Sequence, residues 1–283
     1  MPNTINNKRL IQNTMGFIHI VWQVVLFGAP LYFLGLLSFK HYNMGLPDAS
    51  LTINNYQLLF TDSLFYKAIL NTFALGIIVS VISTFLALIA VISAFNLKQK
   101  TIRNTLLYAC AVVFFIGLIP RTFVFQYLLS DQGPFSASWH LAGLKTFPFR
   151  LYTFAGVVMG YLPVFVPLSI IILFIARKEV PRNYIQAAKE LGAGNRNIQF
   201  DIVIPLIKSS LLISLVLVFL LTIADVIVID LIGGSRIYSV SSLIIDYIKI
   251  DDWGMAAAVS FVFLFSVLLF LYLISKIFLK KGE

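Results

Sequence analysis

Six long apolar stretches constrain what this chain can fold into more than any other feature of it. They run over about residues 15–39, 68–95, 104–129, 151–176, 204–224 and 254–279. Each has the roughly 20 apolar residues needed to cross about 30 Å of hydrocarbon. Lipid offers no hydrogen bonds, so a spanning segment must satisfy its own backbone, and a helix does this within one segment. The chain is 59% hydrophobic and 12% charged, against about 25% charged in soluble domains. A soluble enzyme and a disordered chain are both excluded on these grounds. The first stretch follows Lys8 and Arg9 as a signal peptide would. Its apolar run is too long and no small-residue cleavage site follows, so it is taken as a span. The prediction is an all-α membrane protein with six transmembrane helices.

The cations set the orientation. With the N-terminus inside, fourteen of the 21 Lys and Arg fall on the inner side, among them Lys8, Arg9, Lys98, Lys100, Arg103, Arg177, Lys178, Arg182, Lys280 and Lys281. The other seven, including Lys40, Arg121, Arg150, Arg236 and Lys249, fall outside. Short cytoplasmic loops carry the excess of Lys and Arg, so both termini are expected in the cytoplasm. The net charge of +9 then reflects topology and gives no reason to expect nucleic acid. The expected organisation is a tail at 1–14, one transmembrane domain over 15–279 and a tail at 280–283.

One inner loop, at 177–203, is long, polar and basic. Pro181 suits a helix start. Tyr184, Ala187, Ala188 and Leu191 recur at i, i+3, i+4 and i+7, one face of a helix. Gly192 can take the left-handed conformation that stops a helix. Asn195 can cap a second helix, and Pro205 stands at the head of the fifth span. The loop is expected to run helix, turn, helix, membrane, with two small alanines where another protein could approach closely.

Gln186-Ala187-Ala188, then Gly192, Ile202 and Pro205, resemble the cytoplasmic signature of ABC importer permeases. That pattern is Glu-Ala-Ala, three residues, Gly, nine residues, then Ile-x-Leu-Pro. Gln186 stands where the family has Glu, and Ile204 where it has Leu. Arg121-Thr122-Phe123 with Leu128-Leu129-Ser130-Asp131, Asp230-Leu231-Ile232-Gly233-Gly234, and Asp252-Trp253-Gly254 are similar to segments of the spermidine/putrescine permeases, in particular the first of that importer's two permease subunits. The resemblance implies a coupling helix between spans four and five that docks into an ATPase. Tyr184, Gln186, Ala187, Ala188, Leu191, Gly192 and Pro205 would make that connection. It also implies a bacterial inner (plasma) membrane location, a dimer of ATPase subunits, a second homologous permease and an extracytoplasmic substrate-binding protein, all within membrane lipid. ATP and Mg would bind in the partner ATPase, with no cofactor in this chain. Polyamine is the preferred cargo. Relatives of this branch move ferric iron, opines, phosphonates and other solutes, and a sugar is a further alternative. A secondary transporter that needs no ATPase is the rival of another class.

Residues along the cargo path follow from depth. Arg121 lies about 26 Å past Asn104 and Asp225 about 30 Å past Pro205, if each helix is continuous at 1.5 Å per residue. Both are then placed at the outer surface with Asp230 and Trp253. Tyr161 lies about 15 Å into span four, near the midplane, beside Pro163 and Pro167. Two prolines there are expected to kink or open the helix, as at many transport sites. Acidic residues in such a vestibule would favour a cation, and Arg121 would oppose one unless it is paired. Ser209, Ser210 and Ser214 are read as helix-packing residues. The single cysteine, Cys110, excludes an intrachain disulfide and a multi-cysteine metal site. His19, His41 and His140 have no metal-ligand spacing, and no metal or catalytic site is expected. No Gly-x4-Gly-Lys-Ser/Thr phosphate loop occurs, so the chain does not read as the ATPase itself.

Overall fold

The computed structural model describes Gly16 and residues 19–43, 46–97, 99–145 and 147–279. The tails expected at 1–14 and 280–283, and Lys8, Arg9, Lys98, Lys280 and Lys281, lie outside the described residues. Two compact units divide the chain: Met1–Tyr66 with Leu243–Glu283, and Lys67–Ser242.

In the first unit, α1 (His19–Ser38) contains a π-helical turn at Val24–Gly28. A hairpin of β1 (Lys40–Asn43) and β2 (Leu46–Leu51) follows, so the fold is not purely helical. Then come α2 (Asn54–Thr61) and the start of α3 (Ser63–Asn96). Asn55 fastens the hairpin: its side-chain amide donates to the Ser38 carbonyl at 3.0 Å and the Lys40 carbonyl at 2.9 Å. The unit closes with α12 (Trp253–Leu279), which packs on α1 and α2. Asp252 caps α12 by accepting from the Met255 N–H at 3.0 Å.

The second unit holds most of α3, then α4 (Lys100–Phe115), α5 (Leu118–Leu129), α6 (Pro134–Leu141) and α7 (Phe154–Glu179). The cytoplasmic-loop candidate follows as α8 (Arg182–Glu190) and α9 (Asn195–Leu206). After it come α10 (Lys208–Ala224), a π-helical turn at Ile229–Gly233 and the start of α11 (Val240–Lys249). Here α7 is central, packed by α4, α5 and α10. Thr153 caps it, its hydroxyl accepting from the Gly156 N–H at 3.1 Å.

Among the described residues four helices, α1, α3, α7 and α12, are long and apolar enough to cross a membrane, and the number rises to six if each of two bent pairs is one span. The bends divide two of the predicted spans into helix pairs. The stretch at 104–129 is not one helix: α4 and the following helical segment diverge by 97°. Pro120 explains this. In a continuous helix its ring would collide with the Ile116 carbonyl and it could donate no hydrogen bond there. Accordingly the chain turns extended at Ile116 and Gly117, with ψ of 129° and 147°. The stretch at 204–224 is likewise divided, with α9 and α10 bent by 66° at Ile207, so Pro205 lies in the last turn of α9 and a separate helix begins at Lys208. Conversely, α7 stays one helix through Pro163 and Pro167, where the prolines predict an opening. Half of its apolar window is buried, and packing from three sides holds it.

Candidate functional site

The loop between α7 and α10 has the expected helix-turn-helix order, and its turn rests on one backbone angle. Gly192 has φ of +81°, a conformation costly for residues with a Cβ. It lets the Ala193 N–H reach the Ala188 carbonyl at 2.9 Å and the Gly192 N–H reach the Lys189 carbonyl at 2.9 Å, which closes the C-terminus of α8. The four residues expected to share one face are divided by packing. Ala188, with Ile185, turns onto a small core of Val180, Ile198, Val203 and Ile207. Tyr184, Ala187 and Leu191 face outward with Gln186, and Leu191 is 88% exposed. One side of α8 is therefore anchored to the start of α9, and the other presents an apolar stripe flanked by polar groups. Asn195 does not cap α9; Gly194 takes the capping position and Asn195 is the first helical residue. Pro205 is exposed in the last turn of α9.

The expected cargo residues are distributed differently from their sequence depths. Tyr161 lies seven residues into α7, about 10 Å from its Phe154 end, rather than near the midpoint of a helix about 39 Å long. Its ring is fully buried and stacked on Phe165 with centroids 5.7 Å apart. Its hydroxyl donates to Asp225 Oδ2 at 3.0 Å, and the same oxygen accepts from the Val228 N–H at 2.9 Å. Thus the structure joins two residues 64 positions apart to which sequence depth assigns different levels. Asp225 also starts the helical turn that follows α10. Five residues on, exposed Asp230 accepts from the Ser242 hydroxyl at 3.1 Å.

Two glycines make this close approach feasible. A Cβ at Gly160 would overlap Ile232 Cδ1, and one at Gly234, where φ is +53°, would lie 2.7 Å from the Tyr152 ring. Arg121 does not reach an outer surface by way of a continuous helix. It is buried in the first turn of α5, and its Nη1 donates back across the bend to the Val113 carbonyl at 3.0 Å. Among the described residues, neither Arg121 nor Asp225 nor Asp230 has an oppositely charged partner within 4.0 Å. Trp253 belongs to the first unit, at the start of α12, and is 42% exposed. Ser214 does pack helices together, its hydroxyl 3.0 Å from that of Thr84 on α3.

No protein-family model matches the chain. Among curated proteins, the spermidine/putrescine transport system permease protein PotB of Salmonella typhimurium is 24% identical over 259 residues, covering 90% of each chain. PotB of Escherichia coli is 25% identical over 211 residues, covering 74% of this chain and 76% of that one. The molybdenum transport system permease protein ModB of Azotobacter vinelandii is 29% identical over 171 residues, covering 57% of this chain and 74% of that one. Among solved structures, a chain of the bacterial alginate ABC transporter in complex with an alginate pentasaccharide-bound periplasmic protein superposes with a TM-score of 0.76 at 15% identity, covering 93% of each chain. A second structure of a bacterial ABC transporter importing alginate gives a TM-score of 0.74.

Proposed function

We propose that this chain, similar in sequence and fold to permease subunits of ABC importers, is the membrane-spanning subunit of an ATP-driven importer in a bacterial inner membrane and that its cargo is a polyamine. The observation that carries the reading is the outward stripe of Tyr184, Ala187 and Leu191 on a helix held by a left-handed glycine between two apolar helices. A groove of an ATPase would take this stripe. Its movement would pass through Ile185 and Ala188 to Ile198, Val203 and Ile207, and so across the 66° bend to α10. ATP and Mg would bind in that partner, two copies of which would serve this chain and a second permease. The periplasmic protein bound to the alginate transporter supports a substrate-binding protein as a further partner.

Polyamine is favoured by the PotB likeness and by two carboxylates, Asp225 and Asp230, that lack a cationic partner among the described residues while Arg121 is turned onto a backbone carbonyl. The ModB likeness favours a second reading, the same machine with a different cargo. Uptake decides between them. The chain, its ATPase, the second permease and the binding protein would be reconstituted in vesicles, with an ATPase-dead control. Saturable, ATP-dependent uptake of labelled spermidine or putrescine is expected. Uptake of molybdate instead would keep the machine and replace the cargo. Uptake that persists in the control and follows an ion gradient would overturn the importer reading in favour of a secondary transporter.

A further inference from the structure

The second unit contains a cavity of about 390 Å³ whose lining includes Lys100 and Arg103 of α4, Arg177 and Lys178 of α7, and Arg182 of α8. Among the described residues, no carboxylate lines it. Glu179, the acid adjacent in sequence, is exposed and outside it. The Arg103 guanidinium lies 4.6 Å from the centroid of the Phe95 ring and that of Arg177 lies 4.8 Å from the same centroid. Arg177 is only 7% exposed, and the Nε atoms of both arginines are buried without a hydrogen-bond partner among the described residues.

A ring face attracts each cation but leaves their charge in place, and a buried unpaired charge is among the costliest groups in a fold. The dipole of α7 accounts for part of the cluster, since Arg177 and Lys178 occupy its last turn, where cations are favoured. It does not account for Lys100 and Arg103. These occupy the first turn of α4, where the dipole is positive and no side chain caps the free N–H groups. That arrangement suits an anion, which would meet the helix N-terminus and the guanidinium donors together.

We infer that this cavity binds a phosphate group, that of an anionic lipid of the cytoplasmic leaflet. The cavity lies where one end of α7 meets the start of α4, at the limit of their apolar lengths and so at headgroup level. Arginine forks match phosphate oxygens, and basic pockets between transmembrane helices suit such headgroups. The aromatic wall of Phe95 and Phe174, with ring centroids 5.0 Å apart, offers a surface for the first carbons of a lipid. The inference rests on this cluster and on the proposed placement of this end of α7 at the cytoplasmic face, and not on the identity of the cargo.

The test uses the full chain purified in a non-ionic detergent, with thermal unfolding followed against added short-chain phosphatidylglycerol, short-chain phosphatidylcholine and inorganic phosphate. Saturable stabilisation by phosphatidylglycerol and not by phosphatidylcholine is expected. Arg103→Gln should weaken it about tenfold, the scale of one charge-assisted hydrogen bond. Because Arg177 is buried, its replacement endangers the fold, and Lys178→Gln, at an exposed residue, carries the same expectation. Stabilisation by inorganic phosphate alone would keep the phosphate site and assign it to a soluble source. No saturable stabilisation by either probe, or both variants binding as the parent does, would overturn the inference. So would stabilisation seen only when the ATPase is bound, which would mark the cluster as a seat for an acidic protein segment.

Discussion

Replacing Gly192 tests the proposed coupling turn in isolation. No atom lies within 4 Å of where its Cβ would be, so Gly192→Ala meets no steric obstacle and bears only the cost of φ at +81°. For a residue with a Cβ that cost is about 1 kcal/mol, a factor of about five in the population of the closed turn. Asn tolerates the left-handed region better than Ala. Gly192→Pro fixes φ near −65° and deletes the N–H that bonds Lys189, at a cost of about 3 kcal/mol or more. The affinity of the purified ATPase for the solubilised permease assembly should therefore fall in the order Gly, Asn, Ala, Pro. ATP-dependent uptake per permease copy should follow the same order while membrane abundance stays level. An Ala variant equal to the parent, an Asn variant below Ala, or normal uptake by the Pro variant would refute the reasoning.

Four further variants test other contacts of the fold. Ala187→Glu, on the exposed stripe, should abolish ATPase binding in a pull-down assay while leaving the thermal unfolding midpoint unchanged. Gly160→Ala should destabilise by about 1–3 kcal/mol through the overlap with Ile232 Cδ1, and adding Ile232→Val, which deletes that atom, should restore most of the loss in thermal unfolding. Tyr161→Phe should cost about 1–3 kcal/mol by leaving Asp225 one donor short. Asp225→Asn retains an acceptor oxygen and should cost less in unfolding, yet it should slow polyamine uptake per copy by removing the charge.

The parts of this fold that are legible in the sequence are those decided within a few residues. Gly192 stops a helix because of its own φ, and Thr153 and Asp252, which the sequence reading passed over, cap helices by an equally local rule, through donors three residues on. Apolar length alone marks α1, α3, α7 and α12. The features that escape a sequence reading depend on distant partners or on a neglected local rule. Nothing near Tyr161 announces Asp225, because their hydrogen bond depends on how α7 and the end of α10 pack. Ala188 separates from Ala187 because residues beyond the turn, Ile198 and Val203, supply the core it joins. The cations of the basic cavity register in the sequence only as an orientation signal, since charge counts carry no information on which of them converge. The break at Ile116 is legible in principle: Pro120 forbids a continuous helix four residues back, and the apolar run hides it.

The two bends also turn a question of shape into one of parity. Four crossings, or six, among the described residues would return the chain to the side from which it started, so the start of α1 and the end of α12 would share a compartment whether both bent pairs are single spans or neither is. If one pair crosses and the other does not, the count is five and the end of α12 emerges opposite the start of α1. Paired reporters of sidedness, one fused to each end, would therefore show whether the right-angled break at Ile116–Gly117 and the gentler one at Ile207 behave alike.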